Sequence, residues 1–598
     1  MPEGLPLAAF AALVAWAFSP LIRRVAVRVE AVSQPRPDRW RGEPIPLLGG
    51  VAVAGATAIA LAAWGYGGRL ELALLASGGT MLVVGLVDDR VGLGPTLKLV
   101  GSLAAGAALL FLLSQSARYT PPAPAIVLAV VWFAAVLHGV NLIDNIDGLA
   151  AGVCAIAALG VAAVLAEYGM NEPAAVSMAL GGALLGFLPW NVHPAKLFLG
   201  DSGSLFVGAV LAGCTLVPLF APPAGRPLWP LALGVALIVP LADAVFVSAL
   251  RWMAGRRPTR GGVDHLSHRL VSIGLSERRS ALVLYLVALA AALVAAGIAR
   301  VGAGALPVVA IFFVGIVLGA IYLAHVPAYA GEDFAALRAP IGSALQAAVI
   351  RSHAGQVLLD VVLITVCYYL AYRLRFEGEA LEIFLPSFSA SLPVVLLCKL
   401  AGHYASGLYQ RSWFAFGVSD VAAGIRAVGF GSVASVLAVT YLYRFERFSR
   451  GVFIIDAILL FLAIVGSRMS FRVFTHAAAA QNRRARRVLI CGAQERGQLL
   501  ARELLANGGW CLRPVGFVDE RPPAARSLAG ARVWGGLDGL AEVLRRGRVE
   551  EVLLSGDRLD PTARRRVLEV CSQAGIPVRE LVLEIRDVSS TTSGSSAA

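Results

Sequence analysis

The residues with the most chemical potential stand in the run Gly139-Val-Asn-Leu-Ile-Asp-Asn-Ile-Asp-Gly-Leu149. Asn141, Asp144 and Asp147 are each three apart, and on a helix that spacing sets all three on one broad face. The run follows an apolar stretch, residues 125–137, that reads as a membrane helix. Carboxylates at the end of such a helix are costly to desolvate and mark a wet cavity with a task. Three further polar clusters share the pattern. They are Leu86-Val-Asp-Asp-Arg90 followed by Lys98, Phe198-Leu-Gly-Asp-Ser-Gly-Ser204, and Asp264-His-Leu-Ser-His-Arg-Leu270. Carboxylate, carbonyl and water oxygens suit hard cations, and Mg²⁺ takes one or two carboxylates plus phosphate oxygens. Lys98, His265, His268 and the arginines offer positive charge to a diphosphate. Asp88 and Asp89 are adjacent and cannot easily face one ion, so they divide roles. Gly200 and Gly203 on either side of Asp201 let the backbone approach a ligand. Taken singly, each cluster has an ordinary explanation: a solvated helix end, a turn, an interfacial pair, a snorkelling lysine. Taken jointly they predict metal-assisted phosphoryl chemistry at a membrane surface.

The elements that position these residues must be membrane helices. The chain has 598 residues, 58% hydrophobic and only 15% charged, which excludes an ordinary soluble protein. Apolar runs of about 18–22 residues recur, about eleven between residues 4 and 324 and about four between 356 and 470. The fold class expected is a polytopic α-helical membrane protein of about fifteen transmembrane helices, with a C-terminal cytosolic α/β Rossmann-like domain. The first apolar run, residues 5–21, is followed by Arg23, Arg24 and Arg28 rather than preceded by basic residues. It reads as an uncleaved helix with its N-terminus outside. All the polar clusters then fall on the inside, together with the densest basic loop, residues 251–279; Arg444, Arg447 and Arg450 dissent. The net charge of +13 sits largely in such loops and serves orientation and contact with anionic lipid rather than nucleic acid. The seven cysteines show neither metal-ligand spacing nor a pairing pattern and read as reduced.

From about residue 482 the periodicity changes. Val488-Leu-Ile-Cys491, Pro514-Val-Gly-Phe-Val-Asp519, residues 549–555 and residues 576–583 read as strands, with helices between them. That alternation predicts a parallel, doubly wound sheet. Gly492 and Gly497 form a degenerate nucleotide loop with Gln494 in place of the middle glycine, and Asp519 stands where a ribose-binding acid would. Whether this domain holds a nucleotide is left open. The expected organisation is a membrane domain over 1–325, a linker over 326–354, a four-helix module over 355–470, the α/β domain over 471–587 and a disordered tail over 588–598.

With these motifs in hand, the chain closely resembles the polyprenyl-phosphate N-acetylhexosamine-1-phosphate transferases. The resemblance rests on Pro46-Leu-Leu-Gly-Gly50, Val87-Asp-Asp-Arg90 with Lys98, Asn141-Leu-Ile-Asp-Asn-Ile-Asp-Gly-Leu149, Phe198-Leu-Gly-Asp-Ser-Gly-Ser204 and His265-Leu-Ser-His-Arg-Leu270, in family order over residues 1–325. It implies that the phosphate of a polyprenyl phosphate, undecaprenyl by expectation, attacks the β-phosphorus of a UDP-N-acetylhexosamine and releases UMP. By motif match it implies Asp201, with Asp144, as ligands of Mg²⁺, Mn²⁺ being the alternative ion. It implies catalytic roles for Asp88, Asp89, Asp144 and Asp147, and substrate contacts from Lys98, Asn141, His265, His268 and Arg269. The setting implied is the bacterial inner membrane, with the site facing the cytosol; a homodimer is left open. Two positions depart from the family pattern. Ser267 stands where a further histidine is common, and the loop around Arg39-Trp-Arg41 lacks histidine.

Residues 355–587 resemble the N-terminal membrane and Rossmann-like module of capsule-type nucleotide-sugar 4,6-dehydratases. Dehydratase chemistry there needs a downstream lysine-bearing domain. The chain's lysines are Lys98, Lys196 and Lys399, none of them in the α/β tail. The expectation is therefore a regulatory or scaffolding half, without dehydratase activity. Two other functions fit acids in membrane helices: a transporter or channel, and an inactive scaffold of a glycan assembly complex. Acids clustered at helix ends on one side disfavour the first, and the intact acid set disfavours the second.

Overall fold

The computed structural model describes residues 4–33, 45–115, 117, 119–253, 262, 264–324, 354–410, 418–446, 448–481, 486–506, 512–521, 527–528, 531–555 and 560–580. The loop around Arg39–Arg41, Arg447, Cys511, almost all of the linker over 326–354 and the tail over 588–598 lie outside the described residues. The chain divides into two compact units. One spans 1–412 and 417–467, and the other 413–416 and 468–598.

The first unit is helical. Its elements are α1 (Gly4–Arg28), α2 (Gly49–Ala63), α3 (Arg69–Val91), α4 (Pro95–Ser114), α5 (Ala123–Ile143), α6 (Leu149–Glu167), α7 (Asn171–Asn191), α8 (Gly200–Phe220), α9 (Trp229–Ala236), α10 (Ile238–Met253), α11 (Leu266–Ser272), α12 (Glu277–Val301) and α13 (Leu306–Ala324). A two-residue antiparallel pair, β1 (Val32–Ser33) with β2 (Ile45–Pro46), leads into α2. Four further helices follow: α14 (Ala354–Arg375), α15 (Glu379–Ala405), α16 (Val418–Tyr443) and α17 (Arg450–Gln481).

By length and composition, 11 helices among the described residues can cross a membrane, or up to 12 if α9 and α10, bent by 74°, count as one span. This measure, taken over the described residues, counts fewer than the expected fifteen and leaves that number unconfirmed. One reason is α2, an apolar helix of only 15 residues. A second is the apolar run Glu277–Ala324, which counts once although a 3₁₀ turn at Gly302–Ala305 breaks it.

Helix α8 is the axis of the unit, with 94% of its apolar window buried inside the protein. It packs on α2, α3 and α5. Small residues make that possible. A Cβ on Gly50 would lie 2.3 Å from Gly203, and one on Gly85 would lie 2.4 Å from Ser202. Helices α1 and α7 cross in the same way, where Gly182 and Gly186 face the Ala8 and Ala12 carbonyls. With lipid competing for every apolar contact, such small-residue seams let backbones approach and supply dispersion that bulky side chains would block.

The second unit carries a six-stranded sheet in the order β5-β6-β4-β3-β7-β8. The strands are β3 (Arg486–Cys491), β4 (Leu512–Val518), β5 (Ser527–Leu528), β6 (Ala531–Gly535), β7 (Glu551–Leu554) and β8 (Val578–Glu580). All pairings are parallel except β5 with β6, a short antiparallel edge that the hydrophobic pattern did not reveal. Alternate residues of β3 point to opposite faces. Leu489 and Cys491 enter a core with α19 (Leu540–Gly547) and α20 (Pro561–Gln573), while Val488 and Ile490 enter one with α18 (Glu495–Ala506). Burial in these cores pushes the Cys491 thiol up to about 12 and Cys571 up to about 11, so both are inert. The cysteines at 154, 214, 367, 398, 491 and 571 are all free.

Candidate active site

The turn between α5 and α6 differs from the helical face expected for it. Helix α5 ends at Ile143, Asp144 is its C-cap, and residues 145–148 form a turn closed by Gly148 at φ +78°. Asn and Asp bond locally to their own backbone and favour turns over helix interiors, and Gly148 supplies the left-handed step. Asn141, Asp144 and Asp147 therefore do not share a helical face. Asn141 in the last turn of α5, and Asn145 and Asp147 in the turn that follows, instead reach three separate clusters.

The first cluster holds Asp88, Asp89, Lys98, Asn141 and Asp201. Lys98 Nζ lies 2.8 Å from Asp201 Oδ2 and also pairs with Asp88. Asn141 Nδ2 donates to Asp201 Oδ1 at 3.0 Å and to Ser204 Oγ at 2.8 Å. Asp88 is held from behind, accepting from the Leu93 amide at 2.6 Å. Asp89 faces elsewhere: its two oxygens accept the Asp201 and Ser202 amides at 3.0 and 3.1 Å. It thus caps α8 from another helix, a carboxylate placed where free N–H groups and the helix dipole favour it. Gly200, at φ +74°, adjoins Asp89 so closely that a Cβ would meet Oδ2 at 2.9 Å. The Pro46-Leu-Leu-Gly-Gly50 motif serves the same loop, with the Gly49 and Gly50 amides donating to the Phe198 and Leu199 carbonyls at 2.9 and 3.0 Å. The Asp201 side chain is 36% exposed and Lys98 18%, against 4% for Asp88. The cluster is open at Asp201 and closed behind Asp88.

The second cluster is built on Asp147. Its Oδ2 accepts from the Ala195 amide at 3.0 Å and lies 3.1 Å from His193 Nδ1. The same nitrogen lies 3.2 Å from Glu277 Oε2 at the start of α12. His193 and Glu277 were not legible as site residues. His193 is a lone histidine in a loop, and Glu277 follows the N-cap Ser276 and reads as an ordinary helix start.

The third cluster surrounds α11. His265 Nδ1 lies 2.8 Å from Asp243 Oδ2, and the Leu266 amide donates to Asp243 Oδ1 at 2.8 Å. Ser267, at the position that departs from the family pattern, donates to Asn145 Oδ1 at 2.6 Å and so ties α11 to the α5–α6 turn. His268 is buried, its ring centroid 6.1 Å from that of His265. The Arg269 guanidinium is buried and donates to the carbonyls of Asp264, Leu323 and Ala324, fastening α11 to the end of α13. Asp243 also went unseen, although an acid inside the apolar run 238–250 is itself a signal of function.

In the second unit, Gly492 and Gly497 lie together at the β3–α18 turn, where a Cβ on Gly497 would meet the Gly492 carbonyl at 1.9 Å. Asp519, at the end of β4, is buried and accepts the Ala493 amide of the β3–α18 turn at 2.6 Å and the Arg521 amide at 3.1 Å.

Residues 72–218 match the family described as Glycosyl transferase family 4, and residues 399–574 match one described as CoA-binding domain. The first match contains all of the first cluster together with Asp147 and His193. Decaprenyl-phosphate N-acetylglucosaminephosphotransferase of Mycolicibacterium smegmatis is 32% identical over 314 residues, 46% of this chain and 77% of that protein. A Bacillus subtilis protein named as an undecaprenyl-phosphate N-acetylglucosaminyl 1-phosphate transferase is 29% identical over 282 residues, 45% of this chain and 77% of its own. Phospho-N-acetylmuramoyl-pentapeptide-transferase of Shouchella clausii is 28% identical over 296 residues, 45% of this chain and 88% of its own.

Proposed function

Because the chain belongs to glycosyl transferase family 4, among the polyprenyl-phosphate N-acetylglucosaminephosphotransferases, we propose that it transfers a sugar-1-phosphate from a UDP-sugar to polyprenyl phosphate. An oxygen of the lipid phosphate attacks the β-phosphorus, the bond to the bridging oxygen breaks, and UMP leaves. UDP-N-acetylglucosamine is the sugar donor that the relatives' names favour. The product is a polyprenyl-diphosphate-linked sugar that starts a cell-surface glycan at the cytosolic face of the bacterial inner membrane.

The observation that carries this reading is Lys98 set between Asp88 and Asp201. Two carboxylates around one cation form a site that a diphosphate with its counter-ion can enter by displacing the ammonium. The donor set is hard oxygen, which fits Mg²⁺. Asp201 would hold the ion, since its carboxylate is the exposed one, with Asp144 as the second candidate. When bound, Mg²⁺ neutralises the charge of the diphosphate. The protein's own residues do the rest. Asp88 positions the incoming lipid phosphate. That phosphate is already largely ionised near neutral pH, so a strong base is not required. Lys98 follows the phosphates, Asn141 holds the Asp201 carboxylate in one orientation, and Asp89 fixes the helix end that carries it. His265 and His268 complete the walls around the nucleotide.

The test is purified protein with polyprenyl phosphate, Mg²⁺ and a panel of UDP-sugars, following UMP. Release with one sugar and none from Asp201→Asn is the expected result. Silence with every sugar beside an active relative would remove the transfer reading, and wild-type turnover by Asp201→Asn would remove its assigned role.

The second unit is proposed as a Rossmann-like accessory domain that regulates or scaffolds, without dehydratase activity. Support comes from the parallel sheet with cores on both faces.

A further inference from the structure

We propose that Asp147, His193 and Glu277 form a second metal site, for a borderline divalent ion of the Zn²⁺ class, distinct from the Mg²⁺ site at Asp201. The three ligand atoms lie within 4.8 Å of one another. His193 Nδ1 stands 3.1 Å from the Asp147 oxygen and 3.2 Å from the Glu277 oxygen. An ion bound about 2.0–2.2 Å from nitrogen and oxygen ligands holds neighbouring ligand atoms roughly 3.0–3.5 Å apart. Both histidine–carboxylate spacings fall in that range, so loss of the Nδ1 proton and a small inward shift of the carboxylates complete the site. A histidine with two carboxylates suits Zn²⁺ better than Mg²⁺, which favours all-oxygen shells and retains its water.

A second set of contacts orients the ligands from behind, as metal sites require. The Ala195 amide donates to Asp147 Oδ2 at 3.0 Å, and Arg278 Nε donates to the His193 carbonyl at 2.9 Å. Tyr285 fixes the turn itself, donating to the Gly148 carbonyl at 2.6 Å while its ring packs so tightly on Gly152 that a Cβ would lie 2.3 Å away. The side chains are 11% (Asp147), 31% (His193) and 19% (Glu277) exposed, open enough for an ion to enter.

The ligands come from three elements: the α5–α6 turn, the α7–α8 loop and the N-terminus of α12. An ion there cross-links them. The turn also carries Asn145 to Ser267, and the helix before it carries Asn141 to Asp201. The site thus acts by positioning, and it does not depend on the transfer reading being correct.

The experiment uses the full chain in detergent, stripped with chelator and titrated with Zn²⁺ in excess Mg²⁺. His193→Asn keeps an amide donor near Nδ1 but removes the imidazole ligand, and Glu277→Gln removes a carboxylate at nearly constant shape. The expected result is one equivalent of Zn²⁺ bound by wild type and lost in both variants, with a Zn²⁺-dependent rise in Tm only in wild type. Co²⁺ loaded into wild type, giving visible d–d bands that Zn²⁺ abolishes, reads the site without any variant. Equal Zn²⁺ uptake by wild type and variants overturns the proposal, as does a wild-type protein that binds no Zn²⁺ in excess Mg²⁺. In either outcome His193 is a hydrogen-bonded latch between two carboxylates.

Discussion

Two regions of the first unit hold lysine–aspartate pairs, one open and one buried. In the candidate active site Lys98 is 18% exposed and its partner Asp201 36% exposed, with Asn141 and backbone amides satisfying the neighbouring oxygens. In the four-helix module Lys399 on α15 pairs with Asp456 on α17, and both are 0% exposed. One helical turn on, His403 lies 3.1 Å from Asp360 on α14, again with both fully buried. Around these pairs stand Tyr368, Tyr372 and Ser391, with Tyr368 and Ser391 hydroxyls 2.9 Å apart. Gly431 presses on Lys399 so closely that a Cβ would lie 2.8 Å from its Cα. The difference is one of access. The first pair faces an opening at Asp201, as the proposed exchange of its lysine for a ligand's charge requires; the second is closed off and joins α15 to α17. A buried pair of that kind contributes little net stability but is costly to break from one side.

The largest expected effect comes from breaking the closed pair. Lys399→Met leaves Asp456 buried without its cation and should cost about 3–5 kcal/mol, read as a large fall in Tm in detergent. Lys399→Met combined with Asp456→Leu should recover most of it, because no charge is left unpaired. A double variant as unstable as the single one would mean that the pair contributes more than register.

The open pair should behave in the opposite way. Lys98→Met should lower turnover about 100- to 1,000-fold, the range for removing one preorganised electrostatic group, while Tm moves little. A loss of folding equal to that of Lys399→Met would erase the distinction between the two regions. Between these extremes lies Asp89→Asn. It keeps the shape but weakens the charged cap on α8, at about 1–2 kcal/mol in stability, and it should lower kcat by displacing Asp201.

How far the sequence foretold these two regions also differs, for a physical reason. Polar residues at helix ends are conspicuous against an apolar background, so Asp88, Asp201 and Asn141 were legible as candidates, and the structure brings them together around Lys98. Their division of labour was not, since only the fold shows Asp89 reaching across to α8. Helical spacing misled at residues 141–147, because Asn, Asp and Gly prefer a turn and the period of three was fortuitous. Charges inside apolar runs, Asp243, Lys399 and Asp456, carried a signal that went unused. The small-residue seams were visible as glycines but not as contacts, since a missing side chain does not name its neighbour. In the second unit the strand pattern was legible at β3, β4 and β7, where burial on both faces produces continuous apolar runs. The two-residue β5 is too short to leave any pattern.

The smallest expected effect tests whether the open region is one network or three adjoining clusters. Ser267 donates to Asn145 at 2.6 Å, the contact that joins α11 to the α5–α6 turn. Ser267→Ala removes a neutral hydrogen bond worth about 1 kcal/mol and leaves the Asn145 oxygen to find another donor. If the turn transmits its position to Asn141, and through it to Asp201, turnover should fall several-fold and the loss should not add to that of Asn145→Ala. A double-mutant cycle measures this, with a coupling of about 0.5 kcal/mol or more expected for residues in direct contact. Additive losses would mean that α11 closes over the site without steering it, and that His265 and His268 owe their place to Asp243 and α13 alone.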